Sequence, residues 1–260
     1  MTVGFIGGGN MAEALIKGMT REGMKEIVVA EPRQQRRLHL ENTYGVRATA
    51  ENAEAVSASS IVVLAVKPQN MAKVLEEIAS FVGDRTVVSI AAGITLSYLE
   101  ERLGTRRLIR VMPNVAALGQ EAMTAISVCE CLSGSEVNTV KQMFMSVGRV
   151  LMLPEKYMDA VTAVSGSGPA FVALFIDAMA EAGAGLGLRR EDALALAVQT
   201  AAGTARLLDE GLEPSRLIEM VRSPGGTTAE GLGVFERKGL RDIVREAVEA
   251  AARRAGELSK

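Results

Sequence analysis

Two glycine-rich segments of this chain carry hydroxyls and backbone amides but little bulk, and both suit an anion. One is Ser223-Pro224-Gly225-Gly226-Thr227-Thr228, set between apolar helical stretches; the other is Gly7-Gly8-Gly9-Asn10-Met11-Ala12, which follows a short apolar run. Glycines let the backbone turn several N–H groups toward one point, and a helix that starts there adds its positive end. Two such cradles predict a cofactor in one and a substrate in the other.

The rest of the chain narrows the chemistry. His39 is the only histidine and falls in a predicted helix, where a surface role is expected. No His, Cys and Asp cluster has metal-ligand spacing, so no metal site is expected. Gly166-Ser167-Gly168 opens a helix without a partner histidine, and no Gly-x-Ser-x-Gly elbow occurs. A plainer reading of the second cradle is a Ser-Pro turn in which Thr227 or Thr228 caps the next helix. That reading is compatible with anion binding, because both use the same amides.

The first cradle fits Gly-x-Gly-x-x-Ala between a predicted strand and a predicted helix. Gly7 permits the tight turn, Gly9 lets a pyrophosphate approach the backbone, and Ala12 lets helix and strand pack closely. Asn10 and Met11 supply the first helical amides. The second strand ends at Glu31, where an acid binds ribose hydroxyls and favours NAD(H). Arg33, Arg36 and Arg37 follow, and a guanidinium there holds the 2′-phosphate of NADP(H). These arginines also read as a solvated helix face. NADP(H) is the preferred cofactor on this reading and NAD(H) the alternative, with Arg33 as the phosphate contact.

These residues need a frame. Strands are predicted at 3–6, 27–30, 61–65, 86–90, near 108–112 and near 125–129, and helices at 11–22, 34–44 and 70–81. Such alternation indicates a parallel sheet covered on both faces. After about residue 154 the strand signal stops. Helices are predicted at 169–188, 189–209 and 239–259, rich in alanine and apolar residues, which must bury faces against something; a partner subunit is a natural candidate. The boundaries drawn are 1–153 for a dinucleotide-binding domain and 154–260 for an all-helical domain.

Composition agrees. The 260 residues carry a formal charge of −2 with acids and bases interspersed, no tryptophan and 3% aromatics. Neither a nucleic-acid footprint nor base-stacking platforms are expected. Cys129 and Cys131 read as small hydrophobes sharing one strand face and make a poor disulfide pair, which suits a reducing cytoplasm. The N-terminus shows no leader pattern. The apolar stretch from Pro169 to Leu188 is expected to be a buried soluble helix rather than a membrane span, because it carries Asp177 and Glu181.

Six motifs in order then resemble one family, the pyrroline-5-carboxylate reductases. They are Gly4-Phe5-Ile6-Gly7-x-Gly9-x-Met11, Leu64-Ala65-Val66-Lys67-Pro68, Ser89-Ile90-Ala91-Ala92-Gly93-Ile94-Thr95, Met112-Pro113-Asn114, Ser165-Gly166-Ser167-Gly168-Pro169-Ala170 and Ser223 to Thr228. The resemblance spans nearly the whole chain, and its last motif is close to diagnostic. It implies an α/β fold: an N-terminal Rossmann-type parallel-sheet domain binding NAD(P)H, then an all-α dimerisation domain that interleaves with that of a second subunit. It places the active site at the dimer interface and implies NAD(P)H-dependent reduction of 1-pyrroline-5-carboxylate to L-proline.

By resemblance, Ala65, Val66, Lys67 and Pro68, with Ile90, Ala91 and Ala92, line the nicotinamide end. Asn52 lies near the adenosine ribose and Asn114 in a loop bordering the cofactor. Lys67 contacts the cofactor through its backbone neighbourhood rather than as a proton donor. Amides around Gly225, Gly226 and Thr227 hold the substrate carboxylate, Ser223 lines the loop, and Thr228 hydrogen-bonds the ring nitrogen as the catalytic side chain. Val115-Ala116 stands where the family usually continues Thr-Pro, and Phe171 where it often has tyrosine. A related imine or carbonyl reductase and a non-catalytic regulatory relative are the competing readings.

Overall fold

The computed structural model describes residues 1–129 and 131–258. The chain divides into two compact units: residues 1–167 with the chain from 251 onward, and residues 168–250.

The first unit is built on eight strands: β1 (Val3–Ile6), β2 (Ile27–Ala30), β3 (Arg47–Thr49), β4 (Ile61–Leu64), β5 (Thr86–Ser89), β6 (Leu108–Met112), β7 (Ala122–Val128) and β8 (Gly148–Met152). They lie in the order β3-β2-β1-β4-β5-β6-β7-β8. Strands β1, β2, β4 and β5 are buried along their whole length, because helices cover both faces. On one side α1 (Asn10–Arg21) and α6 (Gly134–Met145) bury Leu15, Ile16, Met143 and Phe144. On the other, α3 (Asn52–Ser57), α4 (Pro68–Val82) and α5 (Leu96–Leu103) bury Val56, Leu75, Ile78 and Leu99. Helix α2 (Gln34–Tyr44) flanks α1 and buries only Leu40.

Strands β1 to β6 are mutually parallel, but β7 runs antiparallel to β6. The sheet is otherwise parallel as expected, and β7 reverses because the link from Met112 to Ala122 is a short 3₁₀ turn at Val115–Gly119, whereas a parallel crossover needs a dozen or more residues. β8 then rejoins β7 in parallel through α6. Cys129 and Cys131 lie beyond the end of β7, not on the strand. Their sulfur atoms are 2.8 Å apart as free thiols, and Cys131 also bonds the Arg106 carbonyl.

The division at Gly168 falls later than 153/154, where the strands end. Glu155 accepts from the Leu96 amide at 2.8 Å and from the buried Arg110 guanidinium at 3.1 Å. Met158, in the short α7 (Met158–Val161), is buried, as is Ala163 in the π-helical turn Thr162–Gly166. The segment after β8 is thus packed onto the sheet unit.

The second unit is helical: α8 (Gly168–Gly185), α9 (Arg190–Asp209), α10 (Pro214–Val221), α11 (Thr227–Arg237) and the start of α12 (Leu240–Leu258). The expected end of the last helix at Ser259 lies outside the described residues. Helices α8 and α9 form a hairpin in which a β-carbon at Gly183 would come within 3.1 Å of Ala193. The expectation that the apolar stretch is buried does not hold within the single chain. Only Ala180 of α8 is buried, while Phe171, Val172, Leu174, Phe175 and Met179 are exposed. The segment Glu155–Gly185 has the length and composition of a membrane-crossing helix. Three alanines, Ala180, Ala193 and Ala197, form the buried core of the second unit, too little apolar area to hold such a unit alone.

Candidate functional site

In a parallel sheet the loops that leave the carboxyl ends of the strands share one edge, and the crevice opens where the winding direction reverses. Here that reversal lies between β1 and β4. The cofactor candidates follow the carboxyl ends of parallel strands: Gly7 to Met11 after β1, Arg33 after β2, Asn52 after β3, Ala65 to Pro68 after β4, Ile90 to Ala92 after β5 and Asn114 after β6. The fold therefore brings all fourteen to one edge of one unit.

The glycine loop fits a dinucleotide on its own geometry. Gly7 has φ of +100°, and a β-carbon there would lie 2.8 Å from the Ala65 carbonyl oxygen, so the turn and the contact with β4 both require glycine. A β-carbon on Gly9 would meet nothing within 4 Å. Gly9 is the N-cap of α1 and no side chain caps it. The first amides, from Asn10 and Met11, thus face open space at the positive end of a 12-residue helix. A pyrophosphate has both the room and the donors it needs there.

Around this loop the charged groups are tied to one another. Gly8 N–H donates to Glu31 Oε2 at 3.1 Å, and the Gly8 carbonyl accepts from Arg36 Nε at 2.6 Å. Arg33 Nε donates to Glu31 Oε1 at 2.8 Å. Arg37 Nη1 donates to the Glu31 and Pro32 carbonyls. Glu13 accepts from Arg36, Tyr44 and His39. Burial opposes ionisation of Glu13, but the hydrogen bonds from His39, Arg36 and Tyr44 outweigh it and hold its carboxyl below the usual value. His39 thus sits in the contact between α1 and α2.

The remaining candidates are positioned mainly by backbone. Ala65 N–H donates to the Ile6 carbonyl and Ile90 N–H to the Leu64 carbonyl. Val66 and Lys67 lead into α4, which Pro68 opens at a position that needs no amide. Ala91 N–H is held by Ser89 Oγ at 3.3 Å, and Ala92 precedes a left-handed Gly93. Asn52 opens α3 and donates to Glu77 Oε2 at 2.6 Å. Asn114 is fixed from both ends: its Oδ1 accepts from Met123 N–H and its Nδ2 donates to Ser165 Oγ. Ser165 lies in the π-helical turn, where a β-carbon on Gly166 would come within 2.7 Å of Met112 Cε. Residues 112–114 therefore meet Ser165 and Gly166. Ser165 is a site residue that the sequence reading misses; its signal is its place in the Ser165-Gly166-Ser167-Gly168 run, and the π-helical turn adds to it.

The second cradle lies in the helical unit, between α10 and α11. Gly225 has φ of +68°, and Gly226 is the N-cap of α11 with no side-chain cap. A β-carbon on Gly226 would lie 2.2 Å from Ser223 Oγ, so any side chain there would force the Ser223 hydroxyl to move. Thr227 and Thr228 are the first two residues of α11 rather than its cap. The capping reading of their hydroxyls is thereby set aside. Among the described residues neither hydroxyl has a hydrogen-bond partner. The loop presents uncapped amides at the start of an 11-residue helix, with a free hydroxyl beside them.

The chain is similar to known proteins over nearly its whole length. Residues 155–258 match the family model described as pyrroline-5-carboxylate reductase dimerisation. Residues 2–93 match the one described as NADP oxidoreductase coenzyme F420-dependent. A pyrroline-5-carboxylate reductase of Synechocystis is 44% identical over 99% of this chain and 98% of that protein. The solved pyrroline-5-carboxylate reductase of Coxiella burnetii is 33% identical with a TM-score of 0.94, covering 100% of this chain and 98% of that one. The Plasmodium falciparum pyrroline carboxylate reductase, solved with NADP bound, is 30% identical with a TM-score of 0.90, covering 100% of this chain and 98% of that one. On this identity and coverage the chain belongs to the pyrroline-5-carboxylate reductase family.

Proposed function

We propose that the protein reduces 1-pyrroline-5-carboxylate to L-proline with NADPH, in the cytoplasm, as the last step of proline formation. The observation that carries this reading is the uncapped start of α11, with free amides and the Thr228 hydroxyl side by side. The substrate has two features that complement these a short distance apart: a carboxylate for the amides and a ring C=N for the hydroxyl.

Bound NADPH supplies the hydride to the imine carbon. The chain's residues hold both molecules. Gly7, Gly9 and the Asn10 and Met11 amides take the pyrophosphate, Arg33 the 2′-phosphate, and Asn52 lies by the adenosine ribose. Ala65 to Pro68, Ile90 to Ala92 and Asn114 border the nicotinamide. The Gly225, Gly226 and Thr227 backbone shapes the carboxylate clamp: the Gly226 amide closes the turn on the Ser223 carbonyl at 3.0 Å, which leaves the amides that open α11 to hold the carboxylate. Thr228 Oγ bonds the ring nitrogen and orients its lone pair or proton. A threonine hydroxyl is too weak an acid to protonate the nitrogen by itself, so its part is orientation or relay. Most of the rate then comes from holding reactants in line.

The exposed apolar face of α8 supports the dimer part of the reading: the helical units of two copies interleave and cover it. Burying Leu174, Phe175 and Met179 in this way contributes about 1.5–3 kcal/mol each. The test is whether purified protein oxidises reduced cofactor when given 1-pyrroline-5-carboxylate. No oxidation with NADPH or NADH would sink the proposal.

A further inference from the structure

Glu31 is in the place where dinucleotide folds put the acid that takes the ribose hydroxyls. In this chain its acceptor positions are already filled. The residue is 4% exposed. Its Oε1 accepts from Arg33 N at 3.0 Å and Arg33 Nε at 2.8 Å, and its Oε2 from Gly8 N at 3.1 Å and Arg33 Nη2 at 3.3 Å. Burial opposes its ionisation, yet the Arg33 side chain and backbone and the Gly8 amide hold its carboxyl below the usual range.

The three arginines that follow are not equivalent. The Arg36 side chain is 19% exposed and spans from the Gly8 carbonyl to Glu13, with Nη2 to Oε2 at 2.5 Å. Arg37 is turned onto the Glu31 and Pro32 carbonyls at 2.8 Å each. Arg33 is 68% exposed along its side chain and, among the described residues, is gripped by Glu31 alone. Its guanidinium retains an outward edge, and a fork held by a two-point carboxylate contact is already ordered for a planar or tetrahedral oxyanion.

We propose that Glu31 is the positioning residue for cofactor selectivity. Itself anchored by the Gly8 amide, it holds the Arg33 guanidinium ready for a 2′-phosphate instead of binding ribose hydroxyls. This rests on the NADP(H) reading above. It reverses the usual inference that an acid at this place selects NAD(H): here removing the acid weakens NADPH.

The test uses the full-length protein and adenosine 2′,5′-bisphosphate, followed by titration calorimetry, with adenosine 5′-phosphate as the comparison. Glu31→Gln keeps the shape of the side chain and loses its charge. It is expected to weaken the bisphosphate about five- to fifty-fold, the scale of one or two charge-assisted hydrogen bonds, and to affect adenosine 5′-phosphate far less. The KM for NADPH should rise by a similar factor while kcat falls less. Arg33→Met keeps the apolar stem and removes the fork, and should weaken the bisphosphate at least as much. The double variant should be no weaker than Arg33→Met alone, because Glu31 acts through Arg33. If Glu31→Gln misfolds, Arg33→Met still decides: bisphosphate binding equal to wild type overturns the proposal. So do tighter or unchanged bisphosphate binding in Glu31→Gln and full additivity in the double variant. A wild-type protein that binds NADH but not the bisphosphate overturns the NADP(H) reading itself, and the proposal with it.

Discussion

Thr228 carries the chemical part of the functional proposal. It stands second in α11, behind an N-cap glycine, with its hydroxyl unpartnered among the described residues. Replacing it with alanine removes one polar contact to the ring nitrogen and leaves the helix and the carboxylate clamp in place. Turnover with 1-pyrroline-5-carboxylate is expected to fall roughly ten- to thousand-fold, with NADPH binding unchanged. Equal kinetics in Thr228→Ala and wild type would remove the residue from the mechanism. The loop itself was legible in the sequence, because paired glycines among hydroxyls have few other uses. Glu31 was legible as a cofactor-edge acid but not in its direction. Its inward turn depends on the Gly8 amide, 23 positions away, and on Arg33 folding back over it. Spacing cannot show which partner a carboxylate finds first.

At the scale of elements, the strands seen in sequence were those with continuous apolar runs, such as Ile61–Leu64, buried on both faces. β3 escaped notice because Arg47–Thr49 is short and half polar, and β8 because its side chains are largely exposed at the sheet edge. The start of α6 shows how local and tertiary signals combine. Ser133 and Glu136 form a capping box. Glu136 also accepts from Thr86 Oγ1 at 2.8 Å and pairs with Arg107. The Ser133 and Thr86 hydrogen bonds, then the Arg107 charge, lower its pKa from 4.5 to about 2. A carboxyl depressed in the folded state stabilises the fold above its unfolded value and loses that contribution as pH falls through the folded one. Thermal melts of wild type and Glu136→Gln should therefore differ fully at neutral pH. The gap should close as pH falls from about 4.5 toward 2. A gap independent of pH over that window would show that the charge of Glu136 is not what holds α6 to β5.

At the scale of the whole molecule, the sequence signalled a partner through an apolar helical half with no strands to cover it. The structure sharpens the signal: Leu174 is 69% exposed on α8, and few side chains in its unit are buried. Soluble monomers rarely leave so much contiguous apolar surface uncovered. Sedimentation should find a dimer or a larger assembly without detergent. Leu174→Glu, which touches no core of the single chain, should shift it toward monomer or aggregate with loss of activity. A wild-type protein that is monomeric and soluble at micromolar concentration would contradict the interleaved dimer. The measurement that bears most directly on the function is the reaction itself. Purified protein is mixed with NADPH and 1-pyrroline-5-carboxylate, and reduced cofactor and proline are followed together. The expected result is one proline formed for each NADPH consumed, with NADPH used at lower concentration than NADH. The contradicting result is a folded protein that binds cofactor yet forms no proline with either one.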